Sequence, residues 1–194
     1  MIGKCLDALK SGMYSYIARL PELNVTSEAV IYLTPVIKYD GSIAIPDNSL
    51  ALTLVNVEEE RVMKSQTAVS FAPNGQVSHQ NPEIKLNLYI LISANFSTYS
   101  TGLEYLSGAI RFFQSKGVFT RQNTPGLHSS IEKLIVELHS LSFEQQNHLW
   151  GSLGAKYLPS VMYKVRLITI QEGQKADEAP PLGRFNIAAM DLRS

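Results

Sequence analysis

The sequence predicts an α/β (α+β) fold: a mixed β-sheet flanked by helices in one domain, residues 1–170, with a C-terminal linker and docking arm at 171–194. Three observations carry that expectation. Segments with apolar residues at three- and four-residue steps are interspersed with segments of period two, in the order α-β-β-β-α-β-α-β. Helices spaced among strands in this way pack on a layered sheet. Residues 50–60, LALTLVNVEEE, are apolar on both faces, as a strand covered on two sides must be. Residues 146–170 read as a helix that stops, a turn, and a long strand.

Taken in order, Ile2, Leu6, Leu9, Met13, Ile17 and Leu20 form the stripe of an amphipathic helix that Pro21 ends. Gly12 inside that stripe costs about 1 kcal/mol relative to Ala, which predicts close packing against another backbone. Residues 29–33 read as a short strand, continued past a bulge by 36–39 before the Asp40-Gly41 turn. Along 50–60, Leu50, Leu52, Leu54 and Asn56 are expected on one face and Ala51, Thr53, Val55 and Val57 on the other. Residues 63–82 form a long excursion around Pro73-Asn74-Gly75, with a hairpin setting Ala68, Ser70 and Ala72 against Val77. Residues 83–95 are the strongest strand, with Ile84, Leu86, Leu88, Ile90 and Ile92 on one face.

Thr101-Gly102-Leu103-Glu104 has the spacing of a capping box, opening a helix with Leu103, Leu106, Ile110 and Phe113 inward and Gly117 at its close. Residues 118–120 and 131–138 follow as strands, the latter with Ile131 on the face opposite Leu134 and Val136. Ser142-Phe143-Glu144-Gln145 is a second capping box, whose helix places Phe143, Leu149, the single Trp150 and Leu153 on or near one face. Gly154 supplies a left-handed stop, and from Ser160 the period is two, with Val161, Tyr163, Val165 and Leu167 pointing one way.

The chain holds 17 Lys and Arg against 17 Asp and Glu, a balance that disfavours a polyanion such as nucleic acid as partner. Its one cysteine, Cys5, excludes an internal disulfide and reads as a buried helix residue. Lys4, Asp7 and Lys10 interrupt any leader-like apolar run, and no stretch approaches the roughly 20 apolar residues of a membrane span, so synthesis in the cytoplasm and no membrane insertion are expected. Phosphate-binding loops and nucleophile elbows are missing from the sequence. His79, His128, His139 and His148 include no i, i+4 pair, although His139 and His148 flank one predicted helix closely enough to approach each other. Asp7, Asp40 and Asp47 complete a Ser-His-Asp trio only on paper. The expectation is a chain without catalytic residues, cofactor or metal. Glu58, Glu59 and Glu60 read as a solvated strand end, with partner contact as the alternative, and at most Glu58 and Glu60 share one side. Tyr99, Tyr105, Tyr157 and Tyr163 lack the interleaved basic residues of a base-stacking platform, which assigns them to core or inter-subunit packing.

A resemblance goes further than these patterns. Leu149-Trp150, Tyr157-Leu158-Pro159-Ser160 and Tyr163-Lys164-Val165, with the opening helix, Val57-Glu58-Glu59 with Arg61, and LNLYILISA, resemble the tail-cap, or tail terminator, family of extracellular contractile injection systems. The resemblance implies a structural protein forming a ring of six that closes the end of tube and sheath away from the baseplate and stops polymerisation. Its implied partners are further copies of itself, the inner tube protein and the sheath protein, in a bacterial particle that is released or membrane-attached. A sheath-end adaptor, or a small-molecule-binding or enzymatic α/β domain, is the alternative. In the arm, Pro180-Pro181 stiffens a polar tether, and Leu182, Phe185, Ile187 and Met190 restore an apolar pattern expected to dock on a neighbour, the alternative being that the arm folds back on its own domain.

Overall fold

The computed structural model describes residues 1–23, 25, 30–60, 69–71, 77–79 and 85–169. The elements run α1 (Ile2–Ile17), β1 (Ile31–Leu33), β2 (Ser49–Glu59), β3 (Val69–Phe71), β4 (Val77–His79), β5 (Lys85–Asn95), α2 (Tyr99–Ser115), β6 (Val118–Thr120), β7 (Ile131–Leu138), α3 (Phe143–Leu153) and β8 (Ser160–Thr169). A short 3-10 turn at Pro21–Leu23 follows α1, which itself stops at Ile17, ahead of the proline.

Strands that are apolar on both faces need a layer on each side, and the fold supplies both. Six strands form one mixed sheet in the order β1-β2-β5-β8-β7-β6, while β3 and β4 pair separately. On one face Leu50, Leu52, Leu88, Ile90, Ile92, Leu134, Val165 and Leu167 lie beneath Leu6, Leu9, Met13 and Ile17 of α1 and Leu106, Ala109, Phe112 and Phe113 of α2. On the other, Ala51, Leu91 and Met162 lie beneath Trp150 of α3 and beneath Val36 and Ile45.

Several expectations are corrected here. Only β1 and β2 pair in parallel, and the 34–48 connection between them holds no helix. The α3 crossover instead joins antiparallel neighbours, because it starts beside Leu138 and re-enters the sheet at Ser160, at the same end. A bulge between Leu54 and Asn56 reverses the two faces of β2 from that point to its end. Asn56 therefore faces the α3 side with Tyr89, and Val57 the side of Leu88. A second bulge between Ile131 and Lys133 brings Ile131 onto the face of Leu134 and Val136. Residues 36–39 form no strand; a single bridge joins Ile37 to Ile43 around the Asp40-Gly41 turn. The β3–β4 hairpin pairs Val77 with Phe71 and Ser70 with Ser78, one residue from the expected register.

The helices carry corrections of their own. A Cβ at Gly12 would lie 3.1 Å from the Phe112 ring, so its close neighbour is a side chain and not another backbone. Helix α2 begins at Tyr99 with Thr98 as its N-cap, so Thr101 is already helical and its capping box does not form. Leu103 and Ile110 are exposed, and the inward face is Gly102, Tyr105, Leu106, Ala109, Phe112 and Phe113. The aromatic residues decide that rotation. Tyr105 donates to the Leu23 carbonyl at 3.0 Å and stacks on Phe96, while Phe113 packs 4.6 Å from Tyr163. Cys5 is buried on α1 as expected, and burial pushes its thiol up to about 12.

Candidate functional site

Beyond the reach of α3, the second face of the sheet is lined by polar side chains, and the acidic end of β2 belongs to it. Glu58 accepts hydrogen bonds from the Tyr89 hydroxyl at 3.0 Å and from Asn56 Nδ2 at 3.2 Å. Glu60 accepts from Asn87 Nδ2 at 3.0 Å. Further across the sheet, Arg166 donates to both carboxylate oxygens of Glu137 at 2.7 Å, a pair that holds the guanidinium above its ordinary range. Tyr89 is raised first by burial and then by the Glu58 carboxylate. His139 meets its ring edge-on at 5.2 Å, and the Lys164 ammonium sits 6.0 Å from its centroid. Glu58 and Glu60 thus share a side, as the strand period requires, and Glu59 faces the other way opposite Leu86. Neutral donors thus hold Glu58 and Glu60, whereas Glu137 is held by a cation. Among the described residues no group of three His, Cys, Asp or Glu side chains is placed to hold a metal ion.

Phe143 and Tyr157 are exposed toward the other end of the same face. The Ser142–Gln145 capping box forms in full, with Gln145 N donating to Ser142 Oγ at 3.2 Å and Ser142 N to Gln145 Oε1 at 2.9 Å. Gly154 ends the helix at φ 68°, in the left-handed region. Between these stops α3 lays Trp150, 4% exposed, onto Ala51, Leu91 and Met162. Phe143, by contrast, is 93% exposed, against the sequence expectation. The helical period is sound, since Phe143 and Trp150 line one hollow of about 400 Å³ with Tyr157. The sheet, however, ends short of Phe143: β7 stops at Leu138, and nothing described lies beneath the ring. An adjoining groove of about 300 Å³ runs past Leu138, Leu141, Leu149 and Trp150. Tyr157 is more than half exposed at its rim, with its ring 5.6 Å from Trp150. Phe143 and Leu138 are therefore interface candidates that sequence reasoning missed. The cue was the short spacing between the end of the 131–138 strand and the Ser142 cap, which leaves the first helical turn at the rim.

Tyr99 is exposed at the start of α2, on the helix layer, and is not brought together with Tyr157. Leu182, Phe185, Ile187 and Met190 lie outside the described residues, as do most of 63–82 and the boundary expected at 170.

This architecture has known counterparts. The model of the Pvc16 N-terminal domain family matches residues 8–184, nearly the whole length. The chain belongs to that family. In fold it is similar to the PVC sheath/tube terminator of an extracellular contractile injection system, in the extended state, with a TM-score of 0.64 at 15% identity, over 100% of this chain and 65% of that one. It is also similar to the anti-feeding prophage cap, a tube-terminating cap, with a TM-score of 0.61 at 14% identity, over 95% of this chain and 60% of that one. The chain thus spans less than two thirds of each of these proteins. No curated protein matches it. At these identities the shared property is the fold, a mixed sheet with helices packed on it. Among the described residues no helix is long and apolar enough to cross a membrane.

Proposed function

We propose that the chain caps a contractile injection system: it forms a ring that closes the end of tube and sheath and stops their polymerisation. The observation that carries this reading is likeness over essentially the full chain to a sheath/tube terminator and to a tube-terminating cap, together with membership of the Pvc16 N-terminal domain family. The surface supports it. Phe143, Tyr157 and Leu138 present apolar area around a groove at one end of the sheet, the kind of aromatic anchor that carries interface energy. Glu58, Glu59, Glu60 and Tyr99 are the polar counterparts in this reading. The role requires shape and edge complementarity, and it assigns the chain no bond to make or break.

Six copies are proposed for the ring, which uses heterologous contacts, one patch meeting a different patch on the next subunit. Tube and sheath proteins are the other partners. The segment 171–194 is proposed as an arm that docks Leu182, Phe185, Ile187 and Met190 on a neighbour. The test is a particle assembled without this chain. Tubes of irregular length or prematurely contracted sheaths are expected, and a gold label on the restored chain should mark the end away from the baseplate. Normal particles without it, or a label along the shaft, would overturn the reading.

A further inference from the structure

The hollow between Phe143, Trp150 and Tyr157, about 400 Å³, and the groove of about 300 Å³ beside it share Gln146, Trp150 and Tyr157. Neither is lined by an Asp, Glu, Lys or Arg side chain; the polar groups there include the neutral Gln146, Asn147 and Ser140. Other depressions differ. The cleft beside α1 carries Arg19 and Lys116, and the hollow beside Tyr39 carries Lys38 and Asp40. An aromatic-walled groove without charge favours an apolar occupant, because a charged one would leave water and gain no counter-ion. Phe143, almost fully exposed, adds little to the domain's own core and gains contact only from such an occupant.

The chain itself carries a segment of that chemistry. Beyond Thr169, residues 170–181 hold Glu172, Lys175, Asp177 and Glu178 and suit water. Residues 182–190 hold Arg184 as their single charge, among Leu182, Phe185, Ile187 and Met190. Phe185 is the one aromatic residue beyond Thr169, and aromatic rings pack well against the rings that wall the hollow.

Where that segment starts decides which copy it serves. Ser160, Val161 and Met162, at the start of β8, line the groove, and Tyr163 pairs with Leu138 at its side. The chain leaves β8 at the opposite end, where Thr169 pairs with Ile131. The length of the strand, about 30 Å at ~3.3 Å per residue, separates that exit from the groove. Residues 170–181 reach at most about 40 Å at ~3.3 Å each, and Pro180-Pro181 stiffens the far end. A return to the chain's own groove would use most of that reach to retrace β8. A neighbour whose α3 end abuts the Thr169 end is met well within it. Giving from one end and receiving at the other is a heterologous contact, which closes a ring when each step also rotates.

We infer that the α3 groove receives residues 182–190 of a second copy of this chain, with Phe185 seated among Phe143, Trp150 and Tyr157. The inference rests on the ring proposed above and names the contact that joins its subunits.

Complementation between variants of the full chain tests it. Phe185→Asp combined with Ile187→Asp spoils the arm and leaves the groove. Phe143→Ser spoils the groove at an exposed position and leaves the arm. Each is expected to weaken self-association at least tenfold by sedimentation velocity, with the melting temperature unchanged. Mixed in equal amounts, the two should form a one-to-one dimer and nothing larger, since each mixed pair retains one intact arm and one intact groove. Tyr157→Ser, at the same rim, is a second groove variant and should behave as Phe143→Ser does. A mixture that stays monomeric, either variant associating like the parent, or a parent that is monomeric over the same concentrations would overturn the inference. A lowered melting temperature in the arm variant would also overturn it, by placing the segment on its own chain. Capping of tube ends is scored separately. Association that depends on arm and groove but brings no capping would remove the functional reading and keep the contact; capping that both variants leave intact would do the reverse.

Discussion

Helix α3 carries two aromatic residues seven positions apart, and the structure assigns them opposite energetic roles. Trp150 is almost fully buried against Ala51, Leu91 and Met162. A buried ring of that size removes roughly 150–250 Å² from water, worth about 4–6 kcal/mol at ~25 cal/mol per Å². Measured Trp→Ala truncations in cores cluster at about 3–5 kcal/mol. Trp150→Ala is therefore expected to cost about 4 kcal/mol, a large part of the roughly 5–15 kcal/mol that holds a domain together. Trp150→Phe is the informative variant. The indole Nε1 has no hydrogen-bond partner among the described residues, so this change removes ring area but no hydrogen bond. A loss equivalent to two methylenes gives about 1.5 kcal/mol. Phe143→Ala, at a solvent-exposed ring, should move the isolated chain by less than ~0.5 kcal/mol, yet impair ring assembly. Urea titration followed by circular dichroism measures all three, since Trp150 is the only tryptophan and its fluorescence leaves with it. Trp150→Phe as costly as Trp150→Ala would refute the account of an unpaired indole. A Phe143→Ala loss above ~1 kcal/mol in the monomer would place that ring in its own core.

Other expectations are briefer. Gly154→Ala forces a Cβ into the left-handed region at φ 68° and should cost about 1–2 kcal/mol by the same titration, and Ser142→Ala, which removes the N-cap, about 1 kcal/mol. Cys5, buried with its thiol pushed up to about 12, should resist aromatic disulfide reagents at pH ~8 in the native chain and react at once in urea. The hydrogen bond from Arg111 holds Glu22 below its ordinary value of 4.5. That contribution is complete above the unfolded value and is lost as pH falls through the depressed one, so Glu22→Gln should lower stability slightly at neutral pH, leave it unchanged in strong acid, and thereby flatten the acid limb of a stability–pH curve. Truncation after Gln171 should leave the monomer's melting temperature unchanged and abolish capping; a sharp fall in melting temperature would show that the segment completes its own domain.

Local chemistry made most elements legible. The capping box at Ser142 and the stop at Gly154 are decided within a few residues, so they read correctly from the chain alone. The two-sided strand at Ser49–Glu59 and the period-two pattern of Ser160–Thr169 announce themselves for the same reason. The acidic strand end was legible too, including the shared side of Glu58 and Glu60. The surroundings a side chain meets after it leaves its own element were not. The bulges at Leu54/Asn56 and Ile131/Lys133 exist only relative to a partner strand, and each flips the faces beyond it. Phe143 has the right helical phase for burial but overhangs the sheet, because the extent of the layer below depends on where β7 stops. Leu103 and Ile110 were equally plausible as core, and the packing of Tyr105, Phe112 and Phe113 turned them outward. Periodicity and capping act between neighbours in the chain, whereas register and layer extent arise between segments far apart in it, and only the folded sheet settles them.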